Sequence, residues 1–80
     1  MKYKYDEPRE IYIFFTPRID GACKKYLRIE RCVGLKTGKE IVIEYLAKDE
    51  KVHRHKYPSF QILLITSESE VMYSSSTRTD

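Results

Sequence analysis

The chain has no tryptophan and only two cysteines, three glycines and three prolines in 80 residues. Each scarcity narrows what it can be. Cys23 and Cys32 stand nine positions apart, outside the CxxC spacing of zinc and redox motifs and too few for a disulfide scaffold, so they read as reduced thiols. No stretch approaches the ~18 consecutive apolar residues of a membrane span, and the opening MKYKYDEPRE lacks the apolar core of a signal peptide. The expectation is a protein of the cytoplasm, or of a host cell's cytoplasm, without membrane association. Catalytic signatures are missing too: there is no Gly-rich phosphate loop, no nucleophile elbow and no HExxH helix. Gly34-Leu35-Lys36-Thr37-Gly38-Lys39 has the glycines and lysine of a phosphate loop without its spacing, and reads as a hairpin turn. The sequence points away from an enzyme and calls for no cofactor.

Eighty residues make one domain, close to the smallest that a hydrophobic core holds together alone. Homo-oligomerisation is therefore an open route to further burial. The net charge of +3 divides unevenly, as +4 over residues 1–40 and −1 over residues 41–80. Such an excess permits a polyanionic partner without requiring one.

The clearest fold signal is residues 26–47, YLRIERCVGLKTGKEIVIEYLA, two strand-like runs around a Gly-containing turn. A three-residue loop over 36–38, with Gly38 in the left-handed conformation, predicts the pairs Leu35:Lys39, Val33:Ile41, Arg31:Ile43, Ile29:Tyr45 and Leu27:Ala47, and with them one apolar face. On this reading Gly38→Val is destabilising. Residues 1–10 read as an extended arm with a charged, proline-bearing patch at Asp6-Glu7-Pro8-Arg9, and residues 11–16 (IYIFFT) as a strand ended by Pro17. A loop follows over 18–23. Residues 48–51 form a polar turn, 52–56 a polar edge strand broken by Pro58, 57–60 a single helical turn, 60–65 (FQILLI) a central strand and 71–73 a last strand. The fold class is mainly β: a small antiparallel barrel or curved sheet of five to six short strands, with an SH3-like or OB-like layout. Residues 1–73 form the single domain, and residues 74–80 (SSSTRTD) a flexible tail.

Seven tyrosines are the compositional oddity. Tyrosine joins a large apolar face to a polar end at low entropic cost, and so recurs at recognition surfaces. Tyr12, Tyr26 and Tyr45 read as at least partly structural, whereas Tyr3, Tyr5, Tyr57 and Tyr73 lie in polar contexts and are contact candidates. The runs Lys2-Tyr3-Lys4-Tyr5 and His53-Arg54-His55-Lys56-Tyr57 interleave cations with aromatics. The candidate binding residues are His53, Arg54, His55, Lys56, Tyr57, Tyr3, Tyr5, Arg28 and Lys51. His53 and His55 share a strand face about 7 Å apart, but with Cys23 or Cys32 they make a weak zinc signal, so no metal is expected. The function that follows is a non-enzymatic interaction module of the adaptor or inhibitor type, the size of small phage-encoded proteins. It binds a larger protein through an edge strand and a Tyr/basic surface. The alternative is a small β-barrel binding nucleic acid with the same surface. Charge reversal at Arg54 and Lys56 is expected to abolish binding with little change in stability.

Overall fold

The computed structural model describes residues 2–16 and 26–75, with side chains from Lys4 onward. The described residues form six strands: β1 (Lys2–Phe15), β2 (Tyr26–Lys36), β3 (Glu40–Leu46), β4 (Val52–Pro58), β5 (Ile62–Ser67) and β6 (Val71–Ser74), with a 3-10 turn at Ser59–Gln61. They pair antiparallel in one sheet of order β4-β3-β2-β1-β5-β6, which leaves β4 and β6 as its edges. The chain is thus mainly β as expected. Of the two layouts, the curved sheet is the one adopted, since no ladder joins β4 to β6 among the described residues. The predicted loop over 18–23 lies outside the described residues, as does the predicted tail from residue 76 onward; Ser74 closes β6.

One face of the sheet is the core. Ile11, Ile13, Ile29, Cys32, Leu35, Ile41, Ile43, Ile62 and Ile65 are buried there, with Tyr5, Phe15, Leu27, Tyr45, Tyr57, Met72 and Tyr73 half-buried against them. Isoleucine dominates because its branched Cβ suits a pleated surface and its rotamers are few. The β1 segment at Ile11–Phe14 is paired on both sides, to β2 and β5, and so crosses the middle of the sheet. Residues 2–10, expected as an arm, are extended and belong to β1, where Lys2, Tyr3 and Lys4 pair with Lys36, Leu35 and Gly34. Between the pairs Lys4↔Gly34 and Arg9↔Cys32 the first strand runs five steps against two. Asp6-Glu7-Pro8 falls in that irregularity, before the ladder to β5 begins at Ile11↔Ser67, so the missing N–H of Pro8 interrupts no two-sided pairing.

The β2–β3 register corrects the sequence reading. The pairs Lys36↔Val42, Leu35↔Ile43 and Gly34↔Glu44 lie four residues away from the predicted register, and Cys32↔Tyr45, past a bulge, lies three away, so the connection is longer than a 36–38 loop. The shift is even, and Leu35, Ile41 and Ile43 keep the predicted apolar face. Val33 and Arg31 do not. The second strand carries one extra residue between Cys32 and Gly34 against β3, and another between Ile29 and Cys32 against β1. Each extra residue turns the following side chains to the other face. The buried apolar side chains of β2 are consequently Ile29, Cys32 and Leu35, spaced by three instead of two, with the Gly34 backbone buried beside them.

Gly38 is likewise corrected. Its φ is not in the left-handed region, and a Cβ built on it meets nothing within 4 Å. Gly38→Ala is therefore expected to be neutral or to stabilise by up to ~1 kcal/mol through the unfolded chain. A fall in the urea midpoint on this substitution would contradict the loop geometry. The three-residue loop with a left-handed residue occurs instead at 48–50, between β3 and β4. The Ala47 N–H donates to the Lys51 carbonyl (3.1 Å), the Glu50 N–H to the Ala47 carbonyl (2.9 Å), and Glu50 takes φ 63°. Asp49 Oδ1 accepts from the Lys51 N–H at 2.9 Å and closes the turn. An L-residue in this region costs ~1–2 kcal/mol, more than the exposed Arg31–Glu50 pair at 3.0 Å returns. Glu50→Gly should then raise stability by ~0.5–1 kcal/mol, read as a higher urea midpoint; a lower one would show that the ion pair dominates.

Candidate interaction edge and basic face

The β4 strand is paired to β3 through all seven residues, from Leu46↔Val52 to Glu40↔Pro58, and among the described residues no strand lies on its other side. Alternation divides its side chains between the two faces of the sheet. His53, His55 and Tyr57 share the core face because they lie opposite Tyr45, Ile43 and Ile41. There the Tyr45 ring stacks on both imidazoles, at 5.8 Å from His53 and 4.8 Å from His55, and His55 leans on Tyr57 at 6.0 Å. Phe15 meets Tyr57 edge-on at 5.1 Å. The result is a row of rings along the rim of the core, and burial pushes the Tyr57 hydroxyl above its ordinary pKa. His53 Nε2 lies 3.1 Å from an Asp49 carboxylate oxygen of the preceding turn.

Arg54 and Lys56 lie on the outer face, with Val52. The Arg54 Nε–H donates to Glu44 Oε2 at 2.8 Å, and Lys4 Nζ is 3.6 Å from Glu44 Oε1. Lys4, Leu35, Lys36, Val42, Glu44, Arg54 and Lys56 line a shallow depression of about 300 Å³. Four cations from β1, β2 and β4 surround one carboxylate, and neither Lys36 nor Lys56 pairs with an acid among the described residues. The Arg54 hydrogen bond, with Lys4 nearby, holds the Glu44 carboxyl below its ordinary value of 4.5. Hydrogen bonds from Tyr12 and Arg28 do the same for Glu10, and the Lys51 N–H with His53 for Asp49, below 3.8. Carboxyls depressed in the folded state add stability that is present above their ordinary values and lost as pH falls through the folded ones. Stability should accordingly decline as pH drops below about 4.5, and Glu44→Gln should flatten that decline in urea melts taken at pH 3 to 6. An unchanged profile would contradict the Glu44 cluster.

The nine sequence candidates separate in space. His53, Arg54, His55, Lys56 and Tyr57 form the edge itself, and Lys51 sits in the adjoining turn, exposed. Arg28 lies elsewhere on the outer face, its Nε–H donating to Glu10 Oε2 at 2.6 Å. Tyr5 is half-buried towards β6, with the Arg9 guanidinium 4.2 Å above its ring and its hydroxyl 3.8 Å from Met72 Sδ. Tyr3 is a β1 backbone position opposite Leu35, and its side chain lies outside the described residues. The contact candidate Tyr73 is half-buried, with its hydroxyl unbonded and out of solvent. Sequence reasoning noted Lys4 only within the Lys2–Tyr5 run and missed Lys36 and Glu44, since the convergence of the three depends on the register of four strands. Tyr26, read as structural, is 53% exposed, stacked on Tyr12 at 6.0 Å and tilted against Phe14 at 5.2 Å. Charge reversal at Arg54 is not the neutral surface change that the sequence indicates, since it sets a glutamate directly opposite Glu44.

Among the described residues, no three His, Cys, Asp or Glu converge on a metal-binding arrangement, and no helix is long and apolar enough to cross a membrane. Cys23 lies outside the described residues. Cys32 is a free, buried thiol whose pKa burial raises, and its Sγ lies 3.4 Å from the Gly34 carbonyl. It packs as a small hydrophobe. No known protein family, curated protein or solved structure matches this chain.

Proposed function

We propose that the protein is a non-enzymatic interaction module of the cytoplasm, of the adaptor or inhibitor type, which binds a larger protein by accepting one of its strands along β4. The supporting observation is the edge itself: seven residues paired to β3 on one side and without a neighbouring strand on the other among the described residues, flanked by an aromatic-imidazole row and a cationic face. Backbone pairing supplies affinity in such additions, and side chains at alternate positions supply selectivity. Pull-down from a cell lysate with the wild type, beside Arg54→Gln with Lys56→Gln, tests this reading. A protein captured by the first and lost from the second is expected; capture of the same proteins by both would contradict it.

The depression around Glu44 favours a second reading, in which the cations bind the backbone of single-stranded nucleic acid. Phosphate contacts by Lys4, Lys36, Arg54 and Lys56 would give a log–log dependence of affinity on salt of about −3. Fluorescence anisotropy with a labelled oligonucleotide at two salt concentrations checks it, and absence of binding at low salt removes it.

A further inference from the structure

We propose that the strand received by β4 is acidic at alternate positions: a segment of the partner protein whose outward carboxylates meet Arg54 and Lys56. The inference rests on the edge reading above. Residues opposite one another in a ladder share a face, so an added strand prolongs both faces of the sheet. On the outer face it adjoins Arg54 and Lys56, with Lys4 and Lys36 behind them, and Glu44, the carboxylate among them, is already bonded to Arg54 and paired with Lys4. Lys36 and Lys56 remain without acidic partners among the described residues. On the core face the strand adjoins His53, His55 and Tyr57, whose rings offer apolar faces. The matching sequence alternates Asp or Glu with apolar, β-branched residues.

Register arithmetic separates this occupant from a second copy of the chain. Antiparallel pairing of two β4 strands centred on His55 sets Arg54 against Lys56 twice, and centring on Arg54 sets it against itself. Like charges directly opposite one another destabilise a ladder, and cations on an edge oppose self-association. A carboxylate strand turns the same charges into attraction. Nucleic acid would neutralise them without forming a ladder.

Fluorescence anisotropy at low salt, with the full chain, tests the proposal on a labelled nine-residue peptide of alternating glutamate and valine. The companions are serine–valine and lysine–valine peptides, the glutamate–valine peptide N-methylated at alternate residues, and oligothymidylate. The glutamate–valine peptide is expected to bind at least about tenfold more tightly than the serine–valine peptide, a difference of ~1.4 kcal/mol, and to lose binding on N-methylation. Lys56→Glu, which does not face Glu44, should reduce that preference, as should Lys36→Glu. If the glutamate and serine peptides bind equally and N-methylation abolishes both, the edge reading stands and the acidic partner is overturned. If the N-methylated peptide and oligothymidylate bind as well as the parent, the edge reading fails and the face is a polyanion site. No binding of the glutamate–valine peptide overturns the proposal outright.

Discussion

Ile13→Ala is expected to lower the stability of the domain by about 3 kcal/mol, within the range of ~2–5 found for truncating a buried isoleucine. Ile13 is fully buried and lies between Leu27 on β2 and Ile65 on β5, so the cavity opens where three strands meet. Close packing leaves its neighbours little freedom to fill that space. A core of this size rarely supplies more than ~3–5 kcal/mol in total, so the variant should populate the unfolded state at room temperature. Urea unfolding followed by circular dichroism measures this directly. A midpoint shift equivalent to less than ~1 kcal/mol would mean that β1 does not cross the centre of the core.

The second large effect concerns binding. Arg54→Gln with Lys56→Gln should weaken partner binding about 30-fold or more, equivalent to ~2 kcal/mol, the scale of an interface hot spot. The urea midpoint should move little, because both side chains are exposed and an exposed ion pair contributes at most ~1 kcal/mol. Glutamine is the informative substitution, since glutamate at position 54 would face Glu44 and mix folding with binding. Normal binding by the glutamine pair would place the interface elsewhere, and the exposed ring of Tyr26, with half-buried Tyr12 and Phe14 beside it, would be the next surface to test.

Much of the fold was legible because strands announce themselves locally. IYIFFT, the polar turn at 48–51, the edge at 52–56 and the final VMY all occupy the expected kinds of element, and the apolar residues around the β2–β3 connection keep their face through an even shift of register. The register itself was not legible. The glycine at position 38 suggested a tight left-handed turn, whereas the strained conformation is held by Glu50, which no propensity favours there. Bulges on β2 placed Cys32 in the core and moved Val33 off the predicted face, a three-residue spacing that period-two reasoning does not reach. FQILLI also divides, with Phe60 outside β5 at 71% exposure and Ile62 and Ile65 buried within it. The site divides along the same line. The five residues 53–57 were found because they are contiguous, while Lys4 and Lys36 join them only through pairings across β1, β2, β3 and β4. Arg28 and Tyr5 were grouped with them on residue type alone and lie elsewhere.

The most direct test of β4 as the interaction edge is backbone amide hydrogen exchange over residues 52–58, measured on the free protein and on its complex with the partner captured from lysate. In the free chain the amides of β4 that point away from β3 should exchange rapidly, and in the complex they should become protected, with little change on β6 or around Tyr26. Protection that appears on β6 or at Tyr12, Phe14 and Tyr26, with β4 still exchanging freely in the complex, would contradict it.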